Sequence, residues 1–195
     1  MKIVGKLLLA TALSVGVVQG SELKNIFALK NQSFAELSLE KLNKYKMDNN
    51  FLFGLRATKV DRLDGYEIVH MNGMFKKPVL TNWVFTERAW LSEKDKKLIF
   101  TDDAGLDLVI EMRDSGDAIC TSGQCIKDVL KQQLRLKVVF INKILTVYVN
   151  EQKLYKSKRR FGKLKNFAQE FYYTSQDYFR DTRDILIDCK LMEVK

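Results

Sequence analysis

Proline, histidine and cysteine are scarce in this chain: one Pro, one His and three Cys among 195 residues. With a single imidazole, a Ser-His-Asp or Cys-His arrangement would have to be built around His70, and no nucleophile motif of the G-x-S-x-G type accompanies it. Scarce proline beside 11% aromatic and 29% charged residues excludes a disordered tail and a collagen-like rod. Neither a P-loop nor a dinucleotide fingerprint occurs. What remains is the composition of a single globular domain, 46% hydrophobic.

The first twenty residues read as an export signal. Lys2 and Lys6 lead into the apolar stretch Leu7 to Val18, and the small residues Val18 and Gly20 precede a cut that would leave Ser21 as the new N-terminus. The stretch falls short of the ~20 apolar residues of a spanning helix. Residues 21–195 are then expected to form one domain, secreted or periplasmic. Losing Lys2 and Lys6 and no acid lowers the net charge from +9 to +7, so the product stays basic. Outside the cytoplasm that charge favours an anionic glycan, an anionic membrane surface or an acidic partner over nucleic acid. The sequence does not specify an oligomeric state.

Export makes disulfides durable. Cys120 and Cys125 enclose Thr121-Ser122-Gly123-Gln124, a stretch flexible enough to bring the sulfurs together, and a bond between them is expected. Closing so small a loop contributes about 2 kcal/mol and mainly pins local structure. The spacing is not the C-x-x-C of a redox pair, and zinc needs more ligands than two Cys. Cys189 falls on the apolar phase of a strand and is expected to be a buried free thiol.

Alternation with a period of two dominates the rest. Leu106, Leu108, Ile110 and Met112 share one face, and Asp107, Val109, Glu111 and Arg113 share the other. Leu134, Leu136, Val138 and Phe140 repeat the pattern and, after Asn142-Lys143, so do Leu145, Val147 and Val149, a β-hairpin. Further strands are predicted at Phe51 to Val60, Tyr66 to Met71, Asn82 to Trp90, Lys97 to Thr101, Glu170 to Thr174 and Asp184 to Glu193. Turn signals stand at Asp64-Gly65, Asn72-Gly73, Ala104-Gly105, Ser115-Gly116 and Asn150-Glu151. Residues 33–46 fit a capped helix or a strand equally, and a short helix is expected at Ile126 to Leu130. The fold class is mostly β, a two-sheet antiparallel sandwich with one or two short helices.

The strand Leu145-Thr146-Val147-Tyr148-Val149-Asn150 resembles the L-x-V-Y-V-N-G hairpin strand of the concanavalin A-like lectin/glucanase superfamily, including its laminin-G-like modules. Glu151 stands where those proteins usually have Gly. The closing strand Ile185 to Leu191 and the opening strand Asn50 to Leu55 are similar to theirs as well. The resemblance covers residues 50 to 195. It implies a jelly-roll sandwich and, by analogy, sugar binding.

The glycosidases of that superfamily place alternating carboxylates on one strand. Here Asp107 and Glu111 share a face but lie roughly 13 Å apart at strand rise, against roughly 5 to 5.5 Å for retaining hydrolysis. Val109 stands between them, and no Glu-x-Asp-x-x-Glu run occurs. Catalysis is therefore not the expected role, and no catalytic residue is assigned. Asp102, Asp103 and Asp107 could supply oxygens to calcium, as the resemblance to laminin-G-like modules suggests, although adjacent acids are common in turns.

Binding features are plainer. From Lys153 to Lys165 there are seven basic residues and no acid, interrupted by Tyr155 and Phe161. Lys158, Arg159 and Arg160 at its centre are candidates for carboxylate, sulfate or phosphate groups, and Tyr155 for stacking on a sugar ring. Tyr173, in the aromatic stretch after Phe171, is a second stacking candidate. Trp83 and Trp90 are candidates to line a ligand groove, with one of the two expected to pack inside.

Overall fold

The computed structural model describes residues 22–33, 50–59, 66–89, 96–113, 118–129, 134–157, 160–174 and 186–195. The proposed export signal, Trp90, Lys158 and Arg159 lie outside them, as do residues 34–46 of the ambiguous stretch. The described residues form the strands β1 (Leu23–Ser33), β2 (Phe51–Lys59), β3 (Tyr66–Phe75), β4 (Trp83–Ala89), β5 (Lys96–Asp102), β6 (Asp107–Arg113), β7 (Ala118–Thr121), β8 (Gln124–Lys127), β9 (Leu134–Ile141), β10 (Ile144–Val149), β11 (Gln152–Lys156), β12 (Leu164–Thr174) and β13 (Leu186–Val194). They assemble into a six-stranded sheet, β1-β13-β4-β9-β10-β11, and a seven-stranded sheet, β2-β3-β12-β5-β6-β7-β8. All neighbours are antiparallel, and the two layers make a jelly-roll sandwich.

Alternation explains the layering. In β9 the residues Leu134, Leu136, Val138 and Phe140 point inward and are buried, with Arg135, Lys137 and Val139 between them. Between the sheets the aromatic rings touch one another. Trp83 stacks on Phe100 at 5.1 Å between centroids, and Phe85 lies 5.5 Å from Phe167. Three two-residue turns close the hairpins β7-β8, β9-β10 and β10-β11, each with two consecutive residues at positive φ: Ser122-Gly123, Asn142-Lys143 and Asn150-Glu151. Such turns match the right-handed twist of the flanking strands.

Three local expectations are corrected. The helix expected at Ile126 to Leu130 does not form over the described residues 126–129, because Gln124–Lys127 is strand β8. Cys120 and Cys125 sit opposite each other in the β7-β8 hairpin and are bonded, as expected, while Ile126 packs partly against the core. Asn72-Gly73 is no turn but lies within β3, where Gly73 makes room for the rings of Phe167 and Phe51. The strand opening at Asn50 is the second, preceded by β1. Irregular register between Asn25 and Phe27 leaves the successive residues Ile26 and Phe27 both buried, which erases the alternation there.

Inside the sandwich, at the Ala89 end of β4, lies a polar cluster. Lys96 of β5 donates to Glu87 of β4 across the two sheets, and both side chains are almost fully buried. The second Glu87 oxygen, Oε2, and both polar atoms of buried Gln169 have no hydrogen-bond partner. Cys189, in register with Glu87, is a buried free thiol as expected. Burial pushes its pKa well above the ordinary 9.0, and the Glu87 carboxylate adds to the rise. The stability that this thiol contributes is intact below 9.0 and declines as pH rises above it, because the unfolded chain then loses the proton first. In mildly alkaline, non-reducing buffer, iodoacetamide should leave Cys189 of the folded protein untouched and alkylate it after denaturation. Mass spectrometry reads the difference, and rapid labelling of the folded protein would contradict this burial.

Candidate functional site

The outward side of the six-stranded sheet is concave. It holds a groove of about 520 Å³, within the range of roughly 300 to 1,000 Å³ that small-molecule sites occupy. Its floor follows from the same alternation that builds the core. When Trp83 and Phe85 turn inward, Val84, Thr86 and Arg88 turn outward.

Pairing register arranges these outward residues in ranks across the strands. The central rank takes one residue from each strand in spatial order: Ala28, Lys190, Thr86, Lys137, Tyr148 and Lys153. Beside it run Asp188, Arg88 and Arg135. On its other side run Met192, Val84, Val139, Thr146 and Lys156. Val84 and Met192 form a small apolar cluster with Val194, against which Val139 packs. The groove is thus a basic band with an apolar border and one half-buried tyrosine.

The bases that line it are Lys30, Arg88, Arg135, Lys137 and Lys190, and its acids are Glu87, Glu151 and Asp188. Glu87 is committed to Lys96 inside the sandwich. Asp188 on β13 and Glu151, which follows Asn150 in the β10-β11 turn, are three strand spacings apart, roughly 14 Å. Side chains of this length do not close that backbone gap to the roughly 5 to 5.5 Å between the carboxyl groups of a retaining pair. The arrangement can hold an anion. It does not make a retaining pair of these two carboxylates.

The residues singled out in the sequence fall elsewhere. Trp83 is 0% exposed and belongs to the core, which corrects its reading as a groove residue. Tyr155 is half-buried and packs against the core, and Phe161 is buried edge-on to Phe140. Arg160 is exposed, beyond the end of β11. Tyr173 lies on β12, in the other sheet, in register with Glu67. The basic run is divided: Lys153 and Lys156 sit on the edge strand of the six-stranded sheet, while Lys163 precedes β12 and Lys165 lies on it.

The three acids considered for calcium have other partners. Asp102 is buried, and its Oδ1 accepts from the N–H groups of Ala104 and Leu106 at 2.9 and 2.8 Å. Its Oδ2 accepts from Gly162 N–H at 2.7 Å. Asp103 accepts from Lys163 N–H, and Asp107 accepts from the Thr101 hydroxyl. These bonds tie the 161–163 segment down beside the β5-β6 turn. Asp107 and Glu111 sit on the other sheet from the groove. Among the described residues no three His, Cys, Asp or Glu side chains cluster to hold a metal.

The chain matches no protein-family model and no curated protein. Solved structures similar to it include the catalytic domain of an endo-1,3-beta-glucanase (laminarinase) from Thermotoga petrophila, with 11% identity and TM-score 0.49, covering 90% of this chain and 99% of that one. The carbohydrate binding module CBM66 from Bacillus subtilis is similar at 8% identity and TM-score 0.37, covering 74% and 93%. A sialidase is similar at 12% identity and TM-score 0.43. There 88% of this chain is covered, and it spans only 18% of the sialidase's length. The sandwich itself is established by its two hydrogen-bonded sheets.

Proposed function

We propose that this chain is an exported, non-catalytic module that binds an anionic glycan in the groove on its six-stranded sheet. The observation that carries the reading is the central rank, in which Lys190 and Lys137 line the groove with Tyr148 and Lys153 continues the line in register on the edge strand β11. Lysines on such a face attract carboxylate or sulfate, and a half-buried phenol offers an apolar ring with a polar tip to a sugar. The Cys120–Cys125 bond suits an oxidising compartment. Cleavage is the weaker reading, since Asp188 and Glu151 are too far apart for a retaining pair.

Titration of the purified protein with an acidic and a neutral polysaccharide at two ionic strengths tests this. Binding should be confined to the acidic polymer and should weaken with salt. Lys137→Gln with Lys190→Gln should weaken it about tenfold, two half-buried charge contacts of roughly 0.7 kcal/mol each. Binding that ignores both substitutions, or that favours the neutral polymer, would refute the assignment.

A further inference from the structure

Resting on that reading, we infer that the groove selects glycans that carry an acidic group on every second sugar. The inference comes from where charge stands across the sheet. In spatial order the central rank runs cation, neutral, cation, neutral, cation: Lys190 on β13, Thr86 on β4, Lys137 on β9, Tyr148 on β10 and Lys153 on β11. Neighbouring strands are about 4.8 Å apart, so successive lysines stand roughly 9.6 Å apart. That is about the length of two linked hexoses.

Two flanking cations, Arg135 and Lys156, keep the same beat. Arg135 is on β9, the strand that already carries Lys137, and Lys156 is on β11 with Lys153. They reinforce charged positions without filling neutral ones. Arg88 is the exception, on the Thr86 strand, and Asp188 stands directly opposite it in register to counter its charge. The described part of β10 carries no charged residue at all. On the far side of Lys190 the rank ends in Ala28, and Lys30 at that edge already interacts within the protein.

A glycan lying across the strands would therefore set its acidic sugars over β13, β9 and β11 and its neutral sugars over Thr86 and the Tyr148 ring. An acid on every sugar would place anions over Thr86 and Tyr148 with no cation to receive them, and desolvating them there is a penalty. Selection thus runs opposite to simple charge attraction, which favours the more densely charged polymer.

The probes are hyaluronan, with a carboxylate on every second sugar, polygalacturonate, with one on every sugar, and dextran, with none. For oligosaccharides of equal length, calorimetry should find hyaluronan about tenfold tighter than polygalacturonate, and no binding of dextran. Thr86→Lys fills the first neutral position and should reverse the preference, with unchanged circular dichroism showing that the fold is retained. Lys137→Thr removes the middle cation and should cost hyaluronan more affinity than polygalacturonate. Equal or tighter binding of polygalacturonate by the unaltered protein overturns the spacing rule and leaves the anionic-glycan reading standing. Binding of neither acidic polymer overturns both.

Discussion

Lys96→Met should lower the unfolding free energy by about 3 to 5 kcal/mol, and adding Glu87→Leu should restore most of the loss. The two residues come from facing sheets, and their side chains are 4% and 3% exposed. Burying an ion pair costs nearly as much desolvation as its attraction returns, so the intact pair adds little net stability. Removing the ammonium alone is different. It leaves a carboxylate, one of whose oxygens already lacks a partner, facing an apolar interior that cannot solvate it. Leucine and methionine together fill a similar volume without charge. Denaturant midpoints of the single and double variants decide the matter. A double variant as unstable as Lys96→Met would mean that the lysine acts through packing and not through its charge.

Trp83→Ala should be comparably damaging, at about 3 to 5 kcal/mol. Its ring is among the largest fully buried groups, stacked on Phe100 and 5.6 Å from Phe140. Alanine would open a cavity at the meeting point of the two layers. Trp83→Phe keeps most of the packing and also removes a buried indole N–H that has no acceptor, so it should be tolerated. Neither change touches the groove. Polysaccharide affinity measured well below the melting temperature should match that of the unaltered protein. Loss of affinity in Trp83→Phe with unchanged stability would return this tryptophan to the binding site.

The residues that could be read in advance are those whose signal is local. Leu134 to Phe140, Asn142-Lys143 and Leu145 to Val149 state a hairpin by alternation and turn chemistry, and the structure forms it. Cys120 and Cys125 declare their bond by spacing. The first strand was hidden because Ile26 and Phe27 are both buried where the register slips. Gly73 imitated a turn because glycine serves equally where a neighbouring ring needs space. Half of the groove was visible in principle: once Leu136 and Leu145 are assigned inward, Lys137 and Tyr148 must face out. The other half was not. Lys190 and Thr86 join Lys137 only because β4 lies between β13 and β9, and no sequence spacing announces that long-range order. Trp83 was open between core and groove for a related reason: what makes it core is its stacking on Phe100 of the facing sheet, a contact no local spacing announces.

The pairing of β1 with β13 imposes a timetable on synthesis. Leu23 meets Val194, and Lys195 N–H donates to the Glu22 carbonyl at 3.1 Å. Strand β4 likewise needs β13 along one of its edges. A ribosome will have built every other described strand before β13, which joins β1 to β4, leaves the exit tunnel. The six-stranded sheet therefore cannot close until the segment that carries β13 has been made. Such distant closures make for slow refolding.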